Sequence, residues 1–179
     1  MTTKNRTIIL DRDGVLNHDR ANYVQNPEQL RIIDGVPEAI FRLNQAYYNV
    51  LVATNQACIG KGLILPETLA GIHGKLRTEI GRVGGKIAGI YHCPHTDADG
   101  CNCRKPKPGL LLQAQEQWLF KPEETWFVGD TVRDMQAAKG ANCLGALVLT
   151  GHGADIAHQV PDRPHFKDLA NFVSFLLDG

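Results

Sequence analysis

The chain alternates short apolar runs with longer segments in which apolar residues recur at helical spacing. Strand-like runs, apolar or rich in β-branched residues, lie at residues 7–10, 49–55, 86–93, 125–130 and 144–150. Helix-like segments lie at residues 37–47, 66–84, 109–118, 133–140 and 167–179. Apolar strands separated by helices are typical of a parallel sheet that is covered on both faces. The pattern therefore predicts a three-layer α/β fold with an open parallel sheet.

Composition limits the number of domains and the classes of binding partner. No repeat, linker or low-complexity stretch divides the 179 residues, so we expect one domain over residues 1–179. Lys plus Arg and Asp plus Glu both number 19, which argues against broad binding to nucleic acid or a membrane surface. No segment resembles a signal peptide or a membrane span. We expect a cytoplasmic monomer whose five cysteines are reduced.

Charged and polar residues follow the predicted strands, where ligands bind in open parallel sheets. Asp11 and Asp13 follow the first strand two residues apart, so both carboxylates can face one site. Thr54 ends the second strand, Asp130 ends the fourth, and Lys105 lies between them in the chain. Clustered carboxylates repel one another unless a hard cation lies among them. Mg²⁺ prefers such oxygen ligands and suits phosphate substrates.

Each of these motifs is weak alone, because an isolated D-x-D is usually a solvated turn. Their order is specific, and it resembles that of the haloacid dehalogenase (HAD) superfamily of phosphatases. The resemblance implies a Rossmann-like domain and rests on "DRDG" at 11–14, "TN" at 54–55, "KP" at 105–106 and "GD…D" at 129–134.

The resemblance also implies roles. Asp11 is the expected nucleophile, and Asp13 the expected acid and base, with a pKa that neighbouring carboxylates raise and the metal lowers. Thr54 and Lys105 are expected to hold the phosphoryl oxygens. Mg²⁺ is expected on Asp11, Asp130 and the backbone carbonyl of Asp13. For Asp134 two roles stay open, a support of the site or a charge on the side of a helix.

A second motif, "CPHTDADGCNC" at 93–103, gathers three of the five cysteines. Thiolate and imidazole together select Zn²⁺, and four protein ligands form a closed structural site. The predicted ligands are Cys93, His95, Cys101 and Cys103. A disulfide is the weaker alternative in a reducing compartment. We expect packed thiols at two further cysteines and no metal at two histidines, namely Cys58, Cys143, His73 and His92.

With this loop, "TNQ…IGKG", "CRKPKPG" and "GDTVRDMQAA", the chain resembles the D-glycero-D-manno-heptose 1,7-bisphosphate phosphatases of the HAD superfamily. The resemblance implies removal of the 7-phosphate on the route to nucleotide-activated heptose for lipopolysaccharide or related glycans. At this length no large cap domain is expected, so short loops must recognise the sugar phosphate. The expected substrate-binding residues are Asp19, Arg20, Tyr23, Asn55, Gln56 and Arg104.

Two alternatives stay open at this point. Histidinol-phosphate phosphatases share the D-x-D and zinc motifs. A zinc-stabilised binding module without catalysis is the more distant alternative.

Overall fold

The structure is a computed structural model that describes residues 6–179. In this part of the chain, six parallel strands form one sheet. They are β1 Arg6–Leu10, β2 Tyr48–Asn55, β3 Gly89–Cys93, β4 Trp126–Gly129, β5 Leu144–Val148 and β6 His165–Phe166. Their spatial order is β3-β2-β1-β4-β5-β6. The chain builds outward from β1 through β2 and β3, then crosses to β4 on the other side. This reversal opens a crevice at the carboxyl ends of the central strands.

The central strands are buried on both faces because alternate side chains enter two separate cores. In β1, Ile8 and Leu10 enter one core and Ile9 enters the other. In β2, Val50 and Val52 face the first core and Leu51 the second. This explains why the sequence reads as unbroken apolar runs in which no alternation with polar residues is visible.

Helices cover both faces and complete the predicted three layers. Helices α1 Val36–Gln45, α2 Pro66–Gly81 and α6 Leu169–Asp178 contribute to the first core, whereas α3 Gly109–Trp118 and α4 Val132–Gly140 contribute to the second. A short helix, α5 Gly153–Ile156, follows β5. The predicted three-layer α/β fold with a parallel sheet is confirmed.

The predicted helices and strands exist with bounds that differ by a few residues, and two short elements were missed. The helix predicted over 66–84 ends at Gly81, and the strand predicted over 86–93 begins at Gly89. Strand β6 has two residues and helix α5 has four, which is too short for hydrophobic periodicity to reveal.

The longest connection in the described chain, residues 11–35, packs against the sheet and forms no separate cap domain. Its Leu16 and Val24 are buried in the first core. No helix within residues 6–179 is long and apolar enough to cross a membrane. The expectation about a signal peptide depends partly on residues 1–5, which lie outside the described residues.

Helix α6 allows a direct test of the packing. Phe172 is fully buried, and its ring packs edge-on against Trp126 and Phe166. Phe172→Ala should lower the free energy of unfolding by about 3–5 kcal/mol, because it removes a ring from a close-packed core. Phe175 on the same helix is 50% exposed, so Phe175→Ala should cost about 1 kcal/mol or less. Urea unfolding of both variants checks this, and equal losses would contradict the described burial.

Candidate active site

The crevice at the carboxyl edge of β1, β2 and β4 contains a cavity of about 200 Å³. The sequence-predicted residues that line it are Asp11, Asp13, Asp19, Tyr23, Thr54, Asn55, Arg104, Lys105 and Asp130. Two predicted substrate-binding residues do not line this cavity. Arg20 is exposed outside it, and Gln56 is buried behind it. A larger cavity, of about 820 Å³, lies at the amino ends of β2 and β3, but its lining has no carboxylate, cysteine or histidine.

A buried lysine lies at the centre of the site. Lys105 Nζ lies 2.9 Å from Asp11 Oδ2 and 2.7 Å from Asp134 Oδ1. It also donates a hydrogen bond to the carbonyl of Ala53 at 3.0 Å. Burial lowers the pKa of Lys105, but the two carboxylates outweigh burial and raise it, so the side chain is a cation. The loop after β3 thus supplies a fixed positive charge to the end of β1.

Asn55 at the end of β2 holds this lysine in place. Its side-chain oxygen accepts a hydrogen bond from the backbone N–H of Lys105, and its Nδ2 donates to the Lys105 carbonyl, both at 3.0 Å. Asn55 therefore fixes the Lys105 backbone from a neighbouring strand, in addition to lining the cavity.

Three carboxylates offer oxygens within 4.8 Å of one another: Asp11, Asp130 and Asp134. Burial, together with repulsion from Asp134 and Asp130, raises the pKa of Asp11 well above its usual value, although Lys105 opposes the shift. Burial and the nearby Asp134 also raise the pKa of Asp130 to about 7. Such a cluster favours a cation that would keep the carboxylates ionised.

The structure shows that Asp134 links the start of α4 to Lys105. Its Oδ2 accepts hydrogen bonds from the backbone N–H of Thr131 at 3.0 Å and from the Thr131 hydroxyl at 2.7 Å. This is a capping box at the start of α4, and the other carboxylate oxygen faces Lys105. Asp134 therefore ties the helix to the lysine, which agrees with the first of the two roles left open for it.

The carboxylate of Asp130 lies in a cradle made by two glycines in left-handed backbone conformations. A Cβ on Gly14 (φ 80°) or on Gly151 (φ 56°) would lie 2.1 Å from Asp130 Oδ2. The same oxygen accepts a hydrogen bond from the backbone N–H of His152 at 2.9 Å. The loops after β1 and β5 thus fix this carboxylate, and no larger side chain fits beside it.

Asp13 lies in the same cavity but outside the carboxylate cluster. Arg12 NH2 lies 3.0 Å from both carboxylate oxygens of Asp13, and Asn17 and Gln56 also donate to them. Burial raises the pKa of Asp13, but the Arg12 guanidinium and these hydrogen bonds outweigh burial and lower it. The expectation that neighbouring carboxylates raise this pKa was wrong, because the residue between the two aspartates supplies the dominant charge.

Arg12 is fully buried and was not singled out from the sequence. Besides Asp13, its guanidinium contacts Gln56 Oε1 at 3.1 Å and His73 Nε2 at 3.3 Å. Gln56 also donates to the hydroxyl of Thr54 at 2.8 Å. Gln56 thus joins the acidic motif to Thr54 from inside the protein.

Further side chains at the mouth of the cavity were also missed. His152 Nε2 lies 2.9 Å from Asp19 Oδ2, and Lys61 donates to the Tyr23 hydroxyl at 2.8 Å. Arg133 in the first turn of α4 lines the cavity as well. His152 follows β5, so applying the strand-end rule to that strand would have found it.

The Cys/His loop brings its four predicted ligands together. The described contacts among Cys93 Sγ, His95 Nδ1, Cys101 Sγ and Cys103 Sγ span 3.1–3.6 Å. A tetrahedron with Zn–S bonds of about 2.3 Å has edges of about 3.8 Å, so this arrangement is close to that of a zinc site. Burial and the Cys103 thiol raise the pKa of Cys93 to about 12, so a bound cation is needed to hold this thiolate at neutral pH.

Curated relatives match this chain over almost its whole length. A family model described as HAD-hydrolase-like matches residues 102–172. The D-glycero-beta-D-manno-heptose-1,7-bisphosphate 7-phosphatase of Neisseria meningitidis is 41% identical over 177 residues, covering 96% of this chain and 95% of the relative. The enzyme of the same name from Pseudomonas aeruginosa is also 41% identical, covering 95% and 97%. This chain belongs to the heptose-1,7-bisphosphate 7-phosphatase family of HAD-like hydrolases.

A solved member of this family shares the fold closely. The crystal structure of D,D-heptose 1,7-bisphosphate phosphatase from B. bronchiseptica, complexed with magnesium and phosphate, has a TM-score of 0.94. It is 38% identical to this chain and covers 97% of this chain and 98% of its own. The family also includes a relative from Campylobacter jejuni that is named for the alpha form of the heptose and is 33% identical.

The glycine cradle around Asp130 gives a prediction with a matched control. Gly14→Ala should displace the Asp130 carboxylate and weaken Mg²⁺ binding by about 10–100-fold. Gly62 also has a positive φ, 68°, but no atom lies within 4 Å of a Cβ built there. Gly62→Ala therefore imposes similar backbone strain without the clash, and its Mg²⁺ affinity should be unchanged. Calorimetric titration with Mg²⁺ measures both, and equal weakening would contradict the cradle.

Proposed function

We propose that this chain removes the 7-phosphate from D-glycero-D-manno-heptose 1,7-bisphosphate in a Mg²⁺-dependent reaction. The observation that carries the proposal is the buried cluster of Asp11, Asp130 and Asp134 around Lys105. It occurs in a chain 41% identical to relatives named for this reaction. Their names specify the beta form of the sugar, which we take as the preferred substrate. The product serves the synthesis of nucleotide-activated heptose for lipopolysaccharide or related glycans.

Mg²⁺ would be held by Asp11, Asp130 and the backbone carbonyl of Asp13. The donor set fits this ion, because it consists of oxygens and because burial raises the pKa of both carboxyl groups despite the nearby Lys105, a shift that a bound metal ion would oppose. When bound, Mg²⁺ supplies positive charge that neutralises phosphoryl oxygens and lets an anionic nucleophile approach them.

Asp11 is the nucleophile in this proposal. Its carboxylate attacks phosphorus and forms an aspartyl phosphate, while the bond from phosphorus to the sugar oxygen breaks. The ammonium of Lys105 and the hydroxyl of Thr54 bind the phosphoryl oxygens and stabilise the charge that develops on them. Lys105 suits this task because its charge is fixed before substrate arrives.

Asp13 moves the protons. It donates a proton to the leaving sugar oxygen in the first step and then removes one from the water that attacks the aspartyl phosphate. Phosphate and free Asp11 result. Arg12 favours the ionised form of Asp13, which suits the second step. A bound phosphate dianion favours the protonated form by repulsion, which suits the first step.

The mouth of the cavity recognises the sugar. Asp19, Tyr23 and Arg104 line it, and Asn55 and Gln56 hold the groups behind it. Zinc on the four loop ligands would fix the backbone that leads into Arg104 and Lys105. The reduced thiols that this site requires fit the cytoplasm, where we propose the chain acts as a monomer.

A substrate panel tests the proposed reaction. Wild-type protein with Mg²⁺ should release phosphate faster from the beta form of the heptose bisphosphate than from the alpha form or from histidinol phosphate. Asp11→Asn should abolish turnover, because an amide is a poor nucleophile, and Asp13→Asn should slow it by about 10²–10⁴-fold. Folding of each variant is checked by circular dichroism. Faster release from histidinol phosphate, or full activity of Asp11→Asn after deamidation is excluded, would overturn the proposal.

Zinc content tests the loop separately. Purified protein should contain about one zinc per chain, and Cys101→Ser should lose it and melt at a lower temperature, because zinc binding contributes folding free energy. Cys143 is buried outside the loop, so Cys143→Ser provides the same substitution without loss of zinc. Elemental analysis and thermal melting measure both. Wild-type protein with no zinc, or zinc retained in full by Cys101→Ser, would contradict the site.

A further inference from the structure

Two arginines that line the cavity contact one exposed carboxylate beside it. Asp97 lies in the loop between β3 and α3, and its side chain is 68% exposed. Arg104 Nε donates to Asp97 Oδ1 at 2.8 Å, and Arg133 NH1 lies 3.5 Å from the same oxygen. One carboxylate therefore faces two guanidinium groups.

The stability of the loop does not require this carboxylate. Asp99 accepts hydrogen bonds from the backbone N–H and the hydroxyl of Thr96, at 2.6 and 2.7 Å, and so holds the turn that contains Asp97. The four predicted zinc ligands hold the same loop from within. An exposed ion pair adds little to folding stability. The surplus positive charge beside a phosphatase site instead suits a second anion.

The buried ion pair between Lys105 and Asp134 positions the two arginines. Arg104 directly precedes Lys105, and Arg133 directly precedes Asp134. Lys105 Nζ and Asp134 Oδ1 lie 2.7 Å apart and are both buried. The contact that forms the phosphate site therefore also brings two loops, and with them two guanidinium groups, to one side of the cavity. Both arginines line that cavity together with Asp11.

We propose that Arg133 is a specificity-determining residue, which binds the second anionic group of the substrate together with Arg104. Asp97 is the counter-ion that pairs with both arginines until that group binds. This inference rests on the proposed function, since a bisphosphate supplies the second anion. A guanidinium offers paired N–H donors to phosphate oxygens, and two of them from different loops can hold one phosphate from two sides.

Two substrates of the same sugar separate this role from a merely structural one. Heptose 7-phosphate keeps the reacting phosphate and lacks the distant one. Arg133→Gln should raise KM for heptose 1,7-bisphosphate and lower kcat/KM on the order of tenfold, with kcat and the rate on heptose 7-phosphate nearly unchanged. Asp97→Asn should act in the opposite direction and lower KM for the bisphosphate, because the arginines no longer have an internal partner.

Lys139 in the last turn of the same helix is exposed and provides the matched control. Lys139→Gln removes one positive charge from α4 and should leave both substrates unaffected. Equal losses on both substrates in Arg133→Gln, no loss on the bisphosphate, or a raised KM in Asp97→Asn would overturn the inference while leaving the proposed reaction intact. Wild-type protein that does not hydrolyse the bisphosphate would instead overturn the proposed function, and this inference with it.

Discussion

The buried ion pair between Lys105 and Asp134 is the interaction on which the rest of the site depends. Lys105 belongs to the loop after β3, and Asp134 to the first turn of α4, so the pair closes the crevice over the end of β1. Removing one partner of such a pair typically costs about 3–5 kcal/mol, because the other charge is left buried. Three further groups stabilise the buried ammonium of Lys105, namely the Asp11 carboxylate, the Ala53 carbonyl and the ring face of Phe127.

Three strand ends, those of β2, β4 and β5, contribute restraints to this arrangement. Asn55 on β2 holds the Lys105 backbone, and Thr131 after β4 caps α4 through Asp134. After β5, Gly151 and the backbone N–H of His152 enclose Asp130. Because these restraints come from rigid strands and helix ends, the charged groups are held in position before any ligand binds.

A second polar network lies behind the first and has a different task. Arg12 is fully buried, yet it has partners in Asp13, Gln56 and His73. Burial, with the nearby Arg12 and His92, lowers the pKa of His73 to about 3, so this imidazole is neutral beside the guanidinium. Among the described carboxylates, Asp13 contacts the Arg12 guanidinium, whereas Asp11 accepts a hydrogen bond only from the Arg12 backbone N–H, so the two aspartates have different environments.

The sequence by itself determined the fold class and most of the residues at the site. Apolar strands between helices predict a doubly covered parallel sheet, and the strand-end rule then selects Asp11, Thr54 and Asp130. The spacing of Cys93, His95, Cys101 and Cys103 predicted a metal cluster, and the structure brings their ligand atoms together. Such features can be predicted from sequence because periodicity and ligand spacing are local properties of the chain.

Only the tertiary structure decided which charges become neighbours. Arg12 is next to Asp13 in the chain, but its burial depends on Gln56 and His73 from distant elements. Arg133 and Asp97 are 36 positions apart, and only the folded chain brings Arg133 NH1 within 3.5 Å of Asp97 Oδ1. Strand β6 and helix α5 are too short to leave a periodic signal. The pKa of a group depends on its burial and on its neighbours in space, and a linear sequence specifies neither until the sheet has formed.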